Sequence, residues 1–429
     1  MNAFTFVQII RMSLLFYNIF LVLYTVGIHT YSLWNNKAKK WIAGRKNIFE
    51  TIKLKTQNSK SKIVWFHCSS LGEFEQGRPL MEKMKAQIPG FTLLITFFSP
   101  SGFEVTKDYT GADYIFYLPI DSKKNAQRFL DLVRPSLVIF IKYDYWYYYL
   151  TEIKKRKINC LLVSAIFRGG QSFFKSYGTL QRKMLLCFTG IFVQNDESKE
   201  LLKTINIENC IVTGDTRFDT VIKIAEKFDP IPAIENFIGN QKCIVAGSTW
   251  KEDDKVLQQV LAKLLDHNLK LIIAPHEMNQ ANLAELKRLF PASIRFSQIN
   301  GYQPTAGNIL IIDNFGLLSR LYKYAYIAYV GGGFTKDGVH NVLEAAVYGK
   351  PVVFGKNYKK YKEAIDLIKY EGAKSFADKD DLYQIFLTLI NDEEDYRQKS
   401  QASENYVYEN KGATEKVLNY IEEKRLLTS

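Results

Sequence analysis

The sequence predicts an α/β protein made of two Rossmann-like domains, and three observations carry that expectation. Short apolar runs alternate with helix-length amphipathic stretches, in two separate series. Between the series, over 214–240, the alternation lapses around Pro230 and Pro232 and reads as a connection. A glycine-rich turn, Gly331-Gly332-Gly333, lies between an apolar run at 325–330 and a helix pattern at 341–348, the arrangement of a nucleotide-binding α/β unit.

The chain opens on a stretch of different character. Residues 12–28 are almost wholly apolar, broken by Ser13, Asn18 and Thr25, and 4–10 extends the run beyond Arg11. With Arg11 snorkelling, the run approaches the ~20 residues that span a bilayer. Tyr31 and Trp34 suit the membrane interface. Lys37, Lys39, Lys40, Arg45 and Lys46 follow, an excess of positive charge that places the C-terminal side in the cytoplasm. No small-x-small cleavage site follows the apolar core, so an anchor is expected rather than a cleaved signal; a helix lying in the membrane surface is the other anchoring mode.

Strands of the first series are expected at 63–68, 93–97, 114–117, 137–141, 161–164, 191–194 and 211–213, with helices such as 74–87 and 123–133 between them. The second series places strands at 243–246, 271–274, 309–312, 325–330 and 352–354, and 380–427 is helix-forming and charged. Such alternation implies parallel, doubly wound sheets. Two of them facing a cleft and closed by C-terminal helices form the architecture called GT-B. The expected division is an anchor at 1–35, a first domain at 36–225 and a second at 226–429. Ligands should lie at the C-terminal ends of the strands.

The net charge of +13 calls for an anionic partner. The chain lacks zinc-finger spacing, an RNA-binding aromatic motif and a basic block of five, so lipid or a phosphorylated sugar fits better than nucleic acid. Five cysteines, an odd number lying mostly in apolar runs, read as buried thiols in a reducing compartment.

Candidate residues gather at strand ends. Ser70, Gly72 and Glu73 follow the first strand; Gly72 allows a close turn, and Glu73 is either a general base or a charge that complements a helix dipole. His67 and Cys68 lack further ligands at metal spacing and read as core. Lys142 and Asp144 follow the fourth strand, amid tyrosines that form either a sugar- or membrane-facing surface or a helix packed on the sheet. Ser248 and Thr249 follow the first strand of the second series, where hydroxyls and amides suit a phosphate or a plain helix cap. Pro275 and His276 end the next strand, where a nucleobase would lie. In the glycine block, amides approach a phosphate closely, and Glu344, one turn into the helix and stacked over His340, suits a ribose diol. No Asp-x-Asp pair follows a strand, so no metal is implied.

Several of these motifs, in order and spacing, resemble the 3-deoxy-D-manno-octulosonic acid (Kdo) transferases, over a span from the apolar N-terminal run to about Gly372. The stretch His67 to Glu73 is similar to that family's Ser-Val-Gly-Glu strand end, whose Glu is the catalytic base. Ser99-Pro100-Ser101-Gly102 resembles its Thr-Pro-Thr-Gly loop, and Tyr117-Leu118-Pro119-Ile120-Asp121 and Arg128-Phe129-Leu130 match closely. Gly214-Asp215-Thr216-Arg217-Phe218-Asp219 corresponds to Gly-Asn-Leu-Lys-Phe-Asp, whose basic residue stabilises the transition state. Asn341-Val342-Leu343-Glu344 looks like the CMP-binding Asn-Pro-Leu-Glu. Departures mark a divergent branch. Glu-x-Glu-x-Trp-Pro-Asn becomes Lys142-Tyr143-Asp144-Tyr145-Trp146-Tyr147-Tyr148. Pro-Arg-His becomes Pro275-His276-Glu277, Gly-Glu-Met becomes Gly316-Leu317-Leu318, and Ala-Arg-Leu-Ser becomes Ala165-Ile166-Phe167-Arg168.

The resemblance implies an inverting glycosyltransferase that moves Kdo from CMP-Kdo to a phosphorylated, lipid IVA-like lipid A precursor in lipopolysaccharide biosynthesis, without metal or cofactor. Its partners are then the donor, the lipid and an anionic inner membrane, with the catalytic domains on the cytoplasmic side. Glu73, Asp144 and Arg217 are the implied catalytic residues, and Ser70, Gly72, Ser101 and Lys142 the acceptor residues in the first domain. Donor residues in the second are Ser248, Thr249, Pro275, His276, Gly316, Leu317, Leu318, Asn341, Val342, Leu343 and Glu344. Two alternatives stand beside this: another GT-B enzyme using a UDP-sugar (a lipid glycosyltransferase or a UDP-GlcNAc epimerase), and a non-catalytic sugar-nucleotide-binding membrane protein.

Overall fold

Seven strands of the first series assemble as one parallel sheet: β1 Lys62–Cys68, β2 Phe91–Phe97, β3 Tyr114–Tyr117, β4 Pro135–Ile141, β5 Asn159–Ala165, β6 Gly190–Val193 and β7 Cys210–Val212. Their order is β3-β2-β1-β4-β5-β6-β7. Apolar residues fill both faces of the central strands: all of β4 after Ser136 is buried, as a parallel sheet covered by helices requires. The computed structural model describes residues 3–59, 61–264, 268–299 and 307–427; Met1 and Asn2 of the expected anchor, and the side chains of its first residues up to 9, lie outside the described residues.

A second parallel sheet contains β8 Lys242–Thr249, β9 Leu269–Pro275, β10 Ile294–Arg295, β11 Ile309–Ile311, β12 Ile327–Val330, β13 Val352–Gly355 and β14 Ala373–Phe376. The order is β10-β11-β9-β8-β12-β13-β14. The two edge strands were not expected. β10 is two residues long, and β14, Ala-Lys-Ser-Phe, carries two polar residues on a half-exposed edge.

These are two Rossmann-like units of the GT-B class. The compact units are Met1–Thr220 with Gly412–Ser429, and Val221–Lys411. This departs from the expected boundaries at both ends. The helix Ala413–Glu423 belongs to the first unit because Val417, Leu418 and Ile421 complete the core that Phe66, Leu93 and Ile139 form on one face of the first sheet. The helix Ala3–Tyr31 is not a separate body either, since Leu14 and Tyr17 pack against the core on the other face. All five cysteines are free and buried.

The helix expected at 341–348 is a single turn, Leu343–Ala346. His340 and Asn341 lie outside it, so Glu344 is not stacked over His340 on a helix face.

Candidate active site

The first sheet reverses its strand order between β1 and β4, so the loops after these strands part at their C-terminal ends. Helix Leu71–Gln87 starts directly after β1. Glu73, in its first turn, folds back so that Oε2 accepts the N–H of Ser69 and, at 3.1 Å, that of Ser70. The carboxyl is buried, and burial pushes its pKa up to about 8; the nearby Asp144 charge adds to the rise, while the two amides and Lys142 oppose it. Glu73 therefore sits as a capping charge and is basic enough to accept a proton near neutrality.

Asp144 ends a chain of hydrogen bonds. Strand register sets His67 beside Thr96 of β2 and Phe140 of β4. Trp65 Nε1–H donates to Thr96 Oγ1 at 2.8 Å, Thr96 Oγ1 and His67 Nδ1 share a hydrogen bond at 2.9 Å, and His67 Nε2 meets Asp144 Oδ2 at 2.8 Å. Trp146 Nε1–H adds a bond to the same oxygen at 3.2 Å. His67 is a core residue, as expected, and it also orients Asp144.

The loop after β2 closes on the loop after β1. Ser99 N–H donates to the Ser69 carbonyl at 2.9 Å. A Cβ on Gly102 would meet the Ser70 carbonyl carbon at 3.1 Å and the Phe97 ring at 2.3 Å, so only glycine lets the two loops touch. Ser70 and Ser101 thus share one rim. Gly72 does not make the close turn expected of it: it lies within the helix, and a Cβ there would have only Ser70 Oγ, at 4.0 Å, for a neighbour. The tyrosine run after Asp144 is the start of a helix, Tyr147–Lys155, with Tyr147 and Tyr149 buried on the sheet.

Arg217 holds Asp215 Oδ2 through Nε at 2.9 Å and Nη2 at 2.7 Å, and its amide holds Oδ1 at 2.9 Å. Burial works to raise the Asp215 pKa, but Arg217, helped by Lys142, overrides it and leaves the acid below its usual range. Lys142 also acts on Glu73. Its charge is felt at both acids, so the Arg217–Asp215 pair lies in the same neighbourhood as Glu73 and Asp144.

In the second sheet the reversal falls between β8 and β12. Register slips after Gly247, and Ser248 takes up the slack at φ 54°, turning the chain toward the glycine block. A Cβ on Gly331 would stand 2.3 Å from the Ser248 carbonyl, and Gly332 adopts φ 88°. The block is thus built for backbone contact with the β8 loop. The expectation that its amides cradle a phosphate needs correction at Gly332: that N–H donates to Asp253 Oδ2 at 2.9 Å, as does the Trp250 N–H at 2.9 Å, while Tyr329 O–H donates to Oδ1 at 2.7 Å. Asp253 is the internal anion of this loop. Its position three residues after Trp250, at a helix start, was the available signal.

Beside it lies an aromatic cluster. Trp250 Nε1–H donates to His340 Nε2 at 3.0 Å, with the two rings only 7° from parallel. His276 stacks on both, 4.6 Å from Trp250 and 4.5 Å from His340. Burial, then the neighbouring His276, lowers the His340 pKa to about 4, so its Nε2 is free of a proton and accepts the indole N–H. Asn341 Nδ2 donates to Glu344 Oε1 at 3.0 Å. Glu344 also raises the pKa of Tyr322, after burial, and a Cβ on Gly247 would meet the Tyr322 hydroxyl and Leu318. The end of β8 therefore gathers Ser248, His276, His340, Leu318 and Glu344. Among the described residues there is no group of three or more His, Cys, Asp or Glu side chains that could hold a metal ion.

Residues 46–220 match the family model of the 3-deoxy-D-manno-octulosonic-acid transferases (kdotransferases). A Kdo transferase from Aquifex aeolicus is 28% identical over 314 residues, 72% of this chain and 80% of that protein. A Kdo transferase from Haemophilus influenzae is 24% identical over 371 residues, 83% of this chain and 86% of the other. The chain carries the Kdo transferase family domain at 46–220 and is a divergent relative of the Kdo transferases along most of its length. It is accordingly a glycosyltransferase. A bifunctional glycosyltransferase/methyltransferase from Fusobacterium nucleatum is 28% identical over 313 residues, of which this chain spans 47% of the length. In fold, a UDP-GlcNAc 2-epimerase from Neisseria meningitidis aligns with TM-score 0.62 at 16% identity, over 84% of this chain and 100% of that one.

The motifs shared with the Kdo transferases divide by position. Glu73, Asp144, Lys142, Ser70 and Ser101 come together at the C-terminal ends of β1, β2 and β4. Arg217 is engaged by Asp215. Among the donor candidates, Val342 and Leu343 are fully buried, so their side chains are core, and Pro275 and Thr249 are buried as well. His276 and Gly316 are exposed, and Ser248, Asn341, Glu344, Leu317 and Leu318 are half-buried.

Proposed function

We propose that the protein transfers Kdo from CMP-Kdo to a hydroxyl of a phosphorylated, lipid IVA-like lipid A precursor, with inversion, at the cytoplasmic side of the inner membrane. The observation that carries this reading is Glu73: a buried carboxyl of raised basicity, at the strand end where the Kdo transferase motif has its base. Glu73 takes the proton of the acceptor hydroxyl as that oxygen bonds to the anomeric carbon of Kdo, and the bond from that carbon to the CMP phosphate breaks. Asp144, fixed by His67, and Lys142 set the charge around the base. Arg217, steadied by Asp215, offers positive charge to the departing phosphate. Ser70 and Ser101 bind the acceptor. In the second unit Glu344 and Asn341 bind the ribose, the exposed face of His276 meets the base, and Ser248 lies near the phosphate. Val342 and Leu343 support this loop from the core.

The deciding experiment incubates detergent-solubilised protein with CMP-Kdo, made in situ, and tetra-acylated lipid A precursor, followed by mass spectrometry of the lipid. A gain of one or more Kdo masses is the expected result. An unmodified lipid, with UDP displacing bound CMP, would turn the reading toward a UDP-sugar enzyme.

The donor site has its own test. Glu344→Ala is expected to weaken CMP by a charge-assisted pair, about 1.5–3 kcal/mol by calorimetry. A 2′-deoxy analogue should lose much less. Equal losses for both nucleotides would remove Glu344 from the ribose.

A further inference from the structure

The N-terminal helix contains a 22-residue stretch, Ile10–Tyr31, long and apolar enough to cross a membrane. Its surroundings point elsewhere. Leu14 and Tyr17 pack on the first unit's core, Leu21 is buried, and the Tyr24 ring lies against Trp41 and Phe98. These positions, three or four residues apart, form one stripe along the helix. Two polar contacts reinforce it. Tyr17 O–H donates to Asp121 Oδ2 at 2.6 Å, and Tyr148 O–H donates to Asn18 Oδ1 at 2.8 Å. Asp121 is only 1% exposed and also accepts the amides of Tyr148 at 3.0 Å and Tyr149 at 3.1 Å. A helix standing across a bilayer would have to leave this seat, stripping Asp121 of one hydrogen bond and exposing the tyrosines that now pack on Tyr17.

The opposite face is the reverse in character. Met12, Leu15, Phe16, Ile19, Leu23 and Val26 are 45–65% exposed, and Leu33 and Trp34 continue the apolar surface past the helix. A strip of this size is not at rest in water. Near Ile10 it borders an apolar groove of about 860 Å³ rimmed by Lys154, Lys155, Arg182 and Lys183. Lys154 binds the Leu186 carbonyl at 2.7 Å, Arg182 the Phe173 and Lys175 carbonyls at 2.9 Å, and Lys183 the Tyr147 phenol at 3.4 Å. These partners are neutral, and among the described residues only Lys155 faces a carboxylate, Glu152 at 3.8 Å, so Lys154, Arg182 and Lys183 keep their positive charge for an anionic headgroup layer.

We infer that the helix lies in the plane of a single anionic leaflet, its docked face held by the first unit and its exposed face among the acyl chains, so that the protein is monotopic and does not cross the bilayer. The inference rests on the membrane reading proposed above, and goes beyond it in fixing the orientation. Both ends of the helix are then on the same side of the membrane as the sheets.

Depth measurements decide it. Met12→Cys, Ile19→Cys and Val26→Cys each place a thiol on the exposed face, seven residues apart, and the native cysteines are buried, so labelling of the folded full chain is selective. With a fluorophore at each site, quenching by lipids carrying quenchers at different depths, in vesicles containing phosphatidylglycerol, should place all three at one shallow depth of ~5–10 Å. Depths that progress by ~10 Å per seven residues would show a crossing helix and overturn the inference. Sedimentation with the same vesicles in ~0.5 M salt separates the two readings. Bound protein with graded depths removes only the in-plane orientation, whereas full-length protein released by salt removes the membrane reading itself. Phe16→Glu with Leu23→Glu, both on the exposed face, should leave only the basic surface to bind, so that ~0.5 M salt releases the protein.

Discussion

Glu73→Gln is expected to lower turnover by ~10²–10⁴, the range for loss of a general base, with CMP affinity nearly unchanged. The substitution keeps an oxygen for the Ser69 and Ser70 amides, so the helix start survives and the loss reports chemistry. The pH dependence sharpens the test. The Glu73 carboxyl is shifted from an ordinary 4.5 to about 8, by burial first and then by Asp144. Turnover should therefore rise with pH up to about 8, where the carboxylate form becomes dominant. Stability runs the opposite way. The folded protein holds a proton that the unfolded chain releases between pH 4.5 and 8, so this group's contribution is present below that window and is lost as pH rises through it. The Gln variant should lack both effects. Asp144→Asn, by removing the neighbouring charge, should move the rising limb of turnover to lower pH. A Gln variant with most of its turnover, or a limb that ignores Asp144, would reduce Glu73 to a capping charge.

Asp253→Ala should destabilise the second unit by about 3–5 kcal/mol, since it strands the buried donors of Trp250, Gly332 and Tyr329 and leaves a void. Urea denaturation of the full chain, followed by fluorescence and circular dichroism, should show the second unit melting earlier. CMP binding should fall with it, because this carboxylate ties Trp250 after β8 to Gly332 of the glycine block. A loss below ~1 kcal/mol would mean that backbone packing alone holds the loops together.

The sequence was most informative where one local pattern determines the outcome. An apolar run ending in Ser-Leu-Gly-Glu announces a strand, a helix start and a carboxylate at their junction, and Glu73 is found there. His67 gave less. Its role depends on register with Thr96, on a neighbouring strand, and on Asp144 across the other neighbour, neither of which is a local property. The glycine block announced a close backbone approach, and that is present. What approaches it is Asp253 and the Ser248 loop, because a carboxylate from the next helix can replace an external anion at the same amides. Asn18 read as a polar interruption and Tyr17 as part of the apolar run, yet Tyr17 seats the helix on Asp121 and Asn18 seats it on Tyr148. The amphipathic pattern of 413–423 marks a helix without naming the sheet it will cover.

That last helix has a consequence for biosynthesis. Gly412 and Thr414 donate their amides to Asp219 at 2.6 and 2.7 Å, so the chain leaves and re-enters the first unit at one point, and everything from 221 to 411 is an insertion. On the ribosome the inserted unit is complete before the unit that was begun first. Until Val417, Leu418 and Ile421 emerge, the core over Phe66, Leu93 and Ile139 stays uncovered, and nascent chains halted just after 411 should carry a finished second unit and an unfinished, chaperone-dependent first one.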